Sequence, residues 1–131
     1  VYGRTVRLIQ NEENTMQFMC LIYSDPANQP VHGTPEFGAM MQGFGDLTKH
    51  VQETGRLVAG DALQGVETAT TVSVRDGKTE TMDGPFMETK EVLGGYYLLE
   101  CADLDDAIKI SAMIPASGYG RIEVRPVVVW E

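Results

Sequence analysis

The chain has 131 residues, 43% of them hydrophobic, which is enough for one domain with a real core. Its formal net charge of -9 excludes non-specific nucleic-acid binding, because that binding depends on clustered lysines and arginines. No apolar run approaches the roughly 20 residues that a membrane-spanning helix needs, and no secretory pattern is present. We therefore expect a cytoplasmic protein that does not enter membranes.

The two cysteines, Cys20 and Cys101, both lie in apolar segments that are typical of strands. Because side chains in such segments are buried, we expect free thiols in a reducing compartment. His32 and His50 have no further ligands at metal spacing, whereas a zinc site needs three or four. The sequence therefore predicts neither a metal nor a cofactor.

Residues 1–15 are weakly patterned, and we predict an N-terminal extension of uncertain order before a single domain over 16–131. The nearly continuous apolar run 16–23 is typical of a central strand that is buried on both faces. A polar loop follows and ends in residues 34–36. These supply an N-cap, a proline at the first helical position and an acid in the first turn, so they predict a helix start.

An apolar stripe follows the predicted first helix at helical spacing. It consists of Phe37, Met40, Met41, Phe44, Leu47 and Val51. A methionine-rich stripe is more often core than a cofactor pocket, so we expect these side chains to fill the core. Gly55 then ends the helix as a C-terminal glycine.

A strand over 56–63 and a β-hairpin are predicted next. Asp76 and Gly77 join two alternating runs, 70–75 and 78–82, and this dipeptide is the strongest local hairpin signal. The second arm of the hairpin leads directly into a turn, after which the next strand begins.

In that strand, 92–101, the pair Gly94-Gly95 predicts a bulge or the close approach of another backbone. Asp103 predicts the cap of a second helix, which ends at Pro115. The residues expected to share its apolar face are Leu104, Ala107, Ile108, Ser111 and Ala112. A last strand over 121–130 contains a proline, which favours an edge or a bulge.

The predicted order is strand, helix, strand, hairpin, strand, helix, strand. Two helices on one face of an antiparallel sheet form an α+β sandwich of ferredoxin-like type. The strands hold more hydrophobic residues than two helices can cover, and an uncovered apolar sheet face is normally an interface. We therefore expect a homodimer that packs sheet on sheet about a two-fold axis.

The turn after the hairpin combines special backbone geometry with a cluster of charges. Asp83 can close an Asx-turn, and Gly84 and Pro85 favour turn dihedral angles. Phe86 is the first bulky side chain after the turn, and we expect it to plug the core. The segment is either a structural turn with solvated charges or the edge of a ligand pocket.

A pocket at this segment would lie between the turn and the sheet face or dimer seam. Lys90 and Arg125 could hold a small anionic or polar ligand, while Glu88 or Glu91 could accept a proton or a hydrogen bond. For Arg125, which alternates with two further charged residues on one strand face, a cross-strand charge network is the alternative. The candidate ligand-binding residues are Tyr23, Asp25, Asp83, Phe86, Glu88, Lys90, Glu91 and Arg125.

Six motifs occur along the chain: Asp83-Gly84-Pro85-Phe86, Glu88-Thr89-Lys90-Glu91, Leu93-Gly94-Gly95-Tyr96-Tyr97, Asp103-Leu104-Asp105-Asp106-Ala107, Ile114-Pro115 and residues 120–127. Together they resemble the DGPF-type branch of the YCII-related domain family, over roughly residues 16–131. The resemblance implies a dimeric α+β barrel built from ferredoxin-like subunits. It also implies a bacterial protein of unassigned function, and some members of that branch are linked to extracytoplasmic-function sigma factors.

Other YCII-like proteins carry a His in the first helix and an Asp before a Pro near the end of the second, proposed as a catalytic pair. The corresponding positions here hold Phe44 and Ile114, so the resemblance does not carry that chemistry over.

Three functions remain open from the sequence. The first is small-molecule binding by a homodimer, with a pocket near the 83–86 turn. The second is a non-enzymatic interaction module that acts with a regulator such as an extracytoplasmic-function sigma factor, and the third is an enzyme of unknown reaction. The lack of a complete nucleophile and base set favours binding over catalysis.

Overall fold

Two helices pack on one side of an antiparallel sheet in the computed structural model, which describes residues 6–7 and 15–130. The strands in chain order are β1 (Val6–Arg7), β2 (Met16–Ser24), β3 (Leu57–Ala62), β4 (Thr70–Arg75), β5 (Lys78–Asp83), β6 (Val92–Cys101), β7 (Arg121–Pro126) and β8 (Val129–Trp130). The helices are α1 (Pro35–Glu53) and α2 (Leu104–Ser111).

The main sheet contains four strands in the order β3-β6-β2-β7, all antiparallel to their neighbours. Helix α1 connects β2 to β3, and α2 connects β6 to β7. This is the ferredoxin-like arrangement that the sequence predicted. The β4–β5 hairpin is inserted between β3 and β6 and packs mainly against itself.

The helix ends follow the signals in the sequence. The Thr34 hydroxyl caps α1 by accepting a hydrogen bond from the Phe37 N–H at 3.3 Å. Gly55, just beyond the end of α1, has a φ of +71°, which glycine adopts without strain. The Asp103 carboxylate caps α2 by accepting from the Asp106 N–H at 2.8 Å.

The core lies between the two helices and the inner face of the sheet. It consists of Phe18, Cys20, Ile22, Leu47, Val51, Tyr97, Leu99, Cys101, Ala107, Ile110, Ile114 and Ala116. On the outer face of β2, Met19, Leu21 and Tyr23 are only partly buried. The prediction that β2 is buried on both faces is therefore wrong for the single chain, because no helix covers its outer face.

The predicted apolar face of α2 is partly wrong, because the helix is rotated. Leu104 and Ile108 are 49% and 51% exposed, whereas Ile110 is buried with the core. The buried stripe is instead Ala107, Ile110 and Ile114, which recur at helical spacing. Next to it, Arg56 donates two hydrogen bonds to the Asp106 carboxylate, at 2.9 and 3.2 Å, and these lower the pKa of that carboxyl group.

The two glycine signals in the strands are confirmed. In the hairpin turn, Asp76 and Gly77 have φ values of +51° and +76°, as a two-residue turn of this kind requires. In β6, the register with β2 skips Gly94, which is the extra residue of a bulge. A Cβ on Gly95 would lie 2.8 Å from the Asp61 carbonyl oxygen, so the backbone of β3 does approach closely there.

The chain termini differ from the N-terminal extension and the single last strand that the sequence predicted. The predicted last strand divides at a proline, so that β7 ends at Pro126 and β8 pairs instead with β1. Of the predicted extension, residues 1–5 and 8–14 lie outside the described residues.

Cys20 and Cys101 are free and buried, as predicted. Burial raises the pKa of both thiols because the thiolate loses its hydration, and the pKa of Cys101 rises to about 12. A hydrogen bond from the Ser111 hydroxyl to the Cys20 sulfur, at 3.5 Å, offsets part of this effect.

We expect neither thiol to react readily with Ellman's reagent in the native protein at mildly alkaline pH, because only the thiolate is nucleophilic. In denaturant without reductant, the reagent should find both thiols. A fast reaction of one thiol in the native protein would contradict its burial. Finding neither thiol in denaturant, at monomer mass, would indicate an intramolecular disulfide.

Candidate functional site

A cavity of about 430 Å³ lies between the N-terminal half of α1 and one end of the sheet. It exists because the inward-facing sheet positions at this end are small: Ser24, Gly60 and Gly95. At the other end of the sheet, the same face carries Phe18 and Leu99, which fill the space under the helix. The cavity volume falls within the range of roughly 300–1,000 Å³ that is typical of ligand pockets.

Helix α1 supplies the opposite wall of the cavity. Met40, Met41 and Phe44 line it, whereas Leu47 and Val51 from the same stripe are buried in the core. The prediction that the whole stripe is core is therefore wrong for its N-terminal half, and Met41 is 53% exposed. Phe44 still packs against the edge of the core, and Met40 contacts the Tyr119 hydroxyl, but the small sheet residues opposite leave the space between them open.

The polar groups of the cavity are mainly hydroxyls. The Ser24 hydroxyl is buried and accepts a hydrogen bond from the Gln29 amide at 2.7 Å. The hydroxyls of Thr48 and Tyr97 lie 3.0 Å apart and share one hydrogen bond. Hydroxyls and an amide both donate and accept hydrogen bonds, so these groups form an uncharged polar set in an apolar wall.

Tyr119 closes one side of the cavity and donates a hydrogen bond from its hydroxyl to the Met40 sulfur at 3.0 Å. Burial raises the pKa of the Tyr119 hydroxyl, so it stays protonated. At the rim, the Asp61 carboxylate accepts a hydrogen bond from the Tyr96 hydroxyl at 2.8 Å and thereby raises the pKa of that hydroxyl. Asp61 is the one charged residue among the described residues that line the cavity. Its side chain lies with that of Tyr96 on the outer face of the sheet, the face of Leu21, because side chains alternate along a strand.

A second, more open depression, the charged groove, lies on the other side of Tyr119. It is lined by Asp25, Ala27, Asn28, Thr89, Lys90, Glu91, Tyr119 and Arg121. Arg121 Nε lies 3.2 Å from Glu91 Oε1, but the arginine side chain is 82% exposed, so this ion pair contributes little stability. The groove therefore contains charges of both signs and is largely hydrated.

The structure brings together three of the residues that the sequence singled out. Asp25, Lys90 and Glu91 meet in the charged groove, and Tyr23 lines a shallow hollow beside it with Glu91. Arg125 lies opposite Met19 in the β2–β7 register, four residues along β7 from the groove, so it does not share the groove with Lys90.

Three further predicted site residues, Asp83, Phe86 and Glu88, line neither the cavity nor the groove. The expectation that Phe86 plugs the core is wrong, since it is 76% exposed. The turn itself forms, with a φ of +87° at Gly84, but its hydrogen bonds hold it to the base of the hairpin. The Gly84 N–H donates to the Ala69 carbonyl at 2.7 Å and the Thr71 hydroxyl donates to the Gly84 carbonyl at 2.8 Å, so the turn does not reach the core.

Sequence reasoning missed the residues of the cavity itself. Ser24, Thr48 and Tyr119 belong to no motif and are not adjacent along the chain. The available signal was indirect: small residues at the end of three inner strand faces stand opposite a stripe of long, flexible methionines. That combination leaves a volume that neither side fills.

The fold and this site define a ferredoxin-like α+β domain with an inserted hairpin and a neutral cavity beneath its first helix. The family model of the YCII-related domain matches residues 16–131, and the chain belongs to this family. An uncharacterized protein from Rhizobium meliloti (strain 1021) is 31% identical over 118 residues, which cover 88% of this chain and 95% of that relative.

The described residues, 6–7 and 15–130, contain neither a membrane-spanning helix nor a metal-binding cluster. No helix there is long and apolar enough to cross a bilayer. Nor do three or more His, Cys, Asp or Glu side chains gather there in a way that could hold a metal ion.

Two glycine substitutions test how rigidly the cavity floor is built. Gly95→Ala should lower the free energy of unfolding by about 1–3 kcal/mol, because the new methyl group meets the β3 backbone. Gly45→Ala is the matched control: on α1 it meets open space, and it should raise stability by up to ~1 kcal/mol through helix propensity. Urea unfolding measures both values, and an unchanged Gly95→Ala would show that β3 and β6 separate easily.

Proposed function

We propose that this protein is a small-molecule-binding homodimer of the DGPF-type branch, and that its ligand occupies the cavity beneath α1. The observation that supports this best is the cavity itself, since its volume and mainly apolar lining are typical of ligand pockets. The charged groove, with the sequence-predicted Asp25, Lys90 and Glu91, is a separate depression on the other side of Tyr119.

The cavity chemistry favours binding over catalysis. Its described lining holds hydroxyls, one amide and the rim carboxylate Asp61, but no pairing of a nucleophile with a base. The resemblance adds a reason: where other YCII-like proteins carry a His in the first helix, this chain carries Phe44, which lies in the cavity wall. A position that is titratable in those proteins is therefore apolar here.

A second candidate function is an interaction module that acts with a regulator such as an extracytoplasmic-function sigma factor. It is favoured by apolar side chains that the hairpin and the following turn leave in solvent: Val72, Val74, Met82, Phe86 and Met87. Val72 and Val74 share one face of the hairpin, and exposed apolar side chains of this kind are typical of protein-binding surfaces. Binding of a partner that survives blocking of the cavity would support this function.

The homodimer is inferred from the outer face of the sheet. Met19, Leu21 and Leu98 lie side by side there, partly buried, with no helix over them. Glu123 and Arg125 flank this apolar strip on β7, so a two-fold axis could pair each charge with its opposite on the second copy.

Leu21→Glu should convert the dimer to a monomer, because it places like charges at the centre of a two-fold interface. Leu104→Glu is the control, since Leu104 is exposed on α2, on the opposite side of the sheet. Sedimentation velocity should show about twice the chain mass for the parent and the control, and the chain mass for Leu21→Glu. A monomeric parent would exclude the dimer.

Filling the cavity should abolish ligand binding. Compounds that raise the melting temperature of the parent in a metabolite screen should also stabilise Ala39→Leu, whose side chain lies on the exposed side of α1. They should not stabilise Ala62→Leu, because this leucine would occupy the cavity mouth. Equal stabilisation of Ala62→Leu would place the site elsewhere, and its loss in Lys90→Ala alone would place it in the charged groove.

A further inference from the structure

We infer that the ligand of the cavity is a neutral, mainly apolar compound with a carbonyl-type hydrogen-bond acceptor. This inference rests on the proposed binding function and narrows it to a chemical class. It depends on the number of hydroxyl protons in the cavity, on the charge of its lining and on its apolar wall.

The Thr48–Tyr97 pair has one hydroxyl proton more than it uses. Each hydroxyl carries a single proton, and only one of the two protons lies between the oxygens in their 3.0 Å bond. The other proton meets no acceptor among the described residues, although Tyr97 is buried. Because both hydroxyls line the cavity, the spare proton is available to a ligand oxygen.

Ser24 offers a second donor. Its oxygen accepts from the Gln29 amide, so its own proton points away from that bond and has no acceptor in the described part of the chain. Ser24 is 95% buried, since its exposed fraction is 5%, and it lines the same cavity. A carbonyl oxygen accepts up to two hydrogen bonds and donates none, so it can take protons from Ser24 and from the Thr48–Tyr97 pair.

The charge of the lining selects against ionic ligands. No lysine or arginine lines the cavity among the described residues, so a carboxylate or phosphate would lose its hydration without meeting a cation. The net charge of -9 adds repulsion for anions. A cation would not meet a carboxylate on the cavity side among the described lining residues, because the Asp61 side chain is exposed and pairs with Tyr96 on the outer face of the sheet.

The rest of the wall is apolar and adaptable. Ile22, Met40, Met41, Phe44 and Leu57 surround the hydroxyls, and methionine side chains adjust to irregular shapes. A ligand therefore gains mainly by burying hydrocarbon, while the hydroxyls orient its oxygen.

Matched compounds on one carbon skeleton test this class directly. The probes are acetophenone, ethylbenzene and benzoate, with the corresponding acetyl, ethyl and carboxylate derivatives of naphthalene as a second set. Binding is followed by methyl NMR of the methionines, because Met40 and Met41 line the cavity and Met113, at the end of α2, does not. The ketones should shift the Met40 and Met41 signals saturably and leave Met113 unchanged. They should bind at least about tenfold more tightly than the carboxylates.

Hydroxyl removal tests the donors. Thr48→Val should weaken ketone binding about threefold to tenfold and leave the binding of the ethyl compounds unchanged. Thr79→Val, on the exposed hairpin, is the control and should change neither. If Thr48→Val does not fold, Tyr97→Phe tests the same pair.

The outcomes separate this inference from the proposed function. Carboxylates that bind as tightly as ketones at Met40 and Met41 would overturn the neutral class but support cavity binding. Equal binding of ketones and ethyl compounds, unaffected by Thr48→Val, would overturn the role of the acceptor. If no compound of either set shifts Met40 or Met41, the proposed binding function and the ligand class are both rejected.

Discussion

The close contact between β3 and β6 is the constraint on which the site depends. Gly95 allows the Asp61 carbonyl to approach to a distance that no side chain at that position would permit. On β3, Gly60 faces Tyr97 in the same way, with its missing Cβ directed at the tyrosine ring. These two glycines let the strands approach closely and leave two inward positions of the sheet without side chains at this end.

The packing of α1 differs along its length, because the sheet residues opposite it differ in size. At its C-terminal half, Leu47 and Val51 find large partners and become core. At its N-terminal half, the same stripe finds glycine, alanine and serine, and its methionines border a space. One amphipathic helix thus has two roles, and the size of the residues opposite decides which role each turn takes.

Local signals in the sequence predicted the fold well, because each acts over a few residues. The Thr34 cap, the Asp76–Gly77 turn and the Gly94–Gly95 bulge all depend on the conformation of the backbone beside them. Phe86 was mispredicted for the opposite reason. Its exposure depends on hydrogen bonds between the turn and the base of the hairpin, which connect residues well separated along the chain.

The candidate site was the least predictable part for a related reason. Charged residues are conspicuous in a sequence, and Asp25, Lys90 and Glu91 do lie together, but in a hydrated groove. The cavity exists because Gly60 and Gly95 have no side chains, and its polar groups are hydroxyls from β2, α1 and β6. A volume of this kind depends on tertiary packing, which no motif of consecutive residues encodes.

Tyr119 forms a wall common to the cavity and the charged groove. Among the described residues, its hydroxyl is held by the Met40 sulfur, a weak acceptor on a flexible side chain. A molecule that displaced this ring from one side would also reshape the other side. Two molecules bound on the two sides would then change each other's affinity, and thermodynamic reciprocity requires the same factor for both.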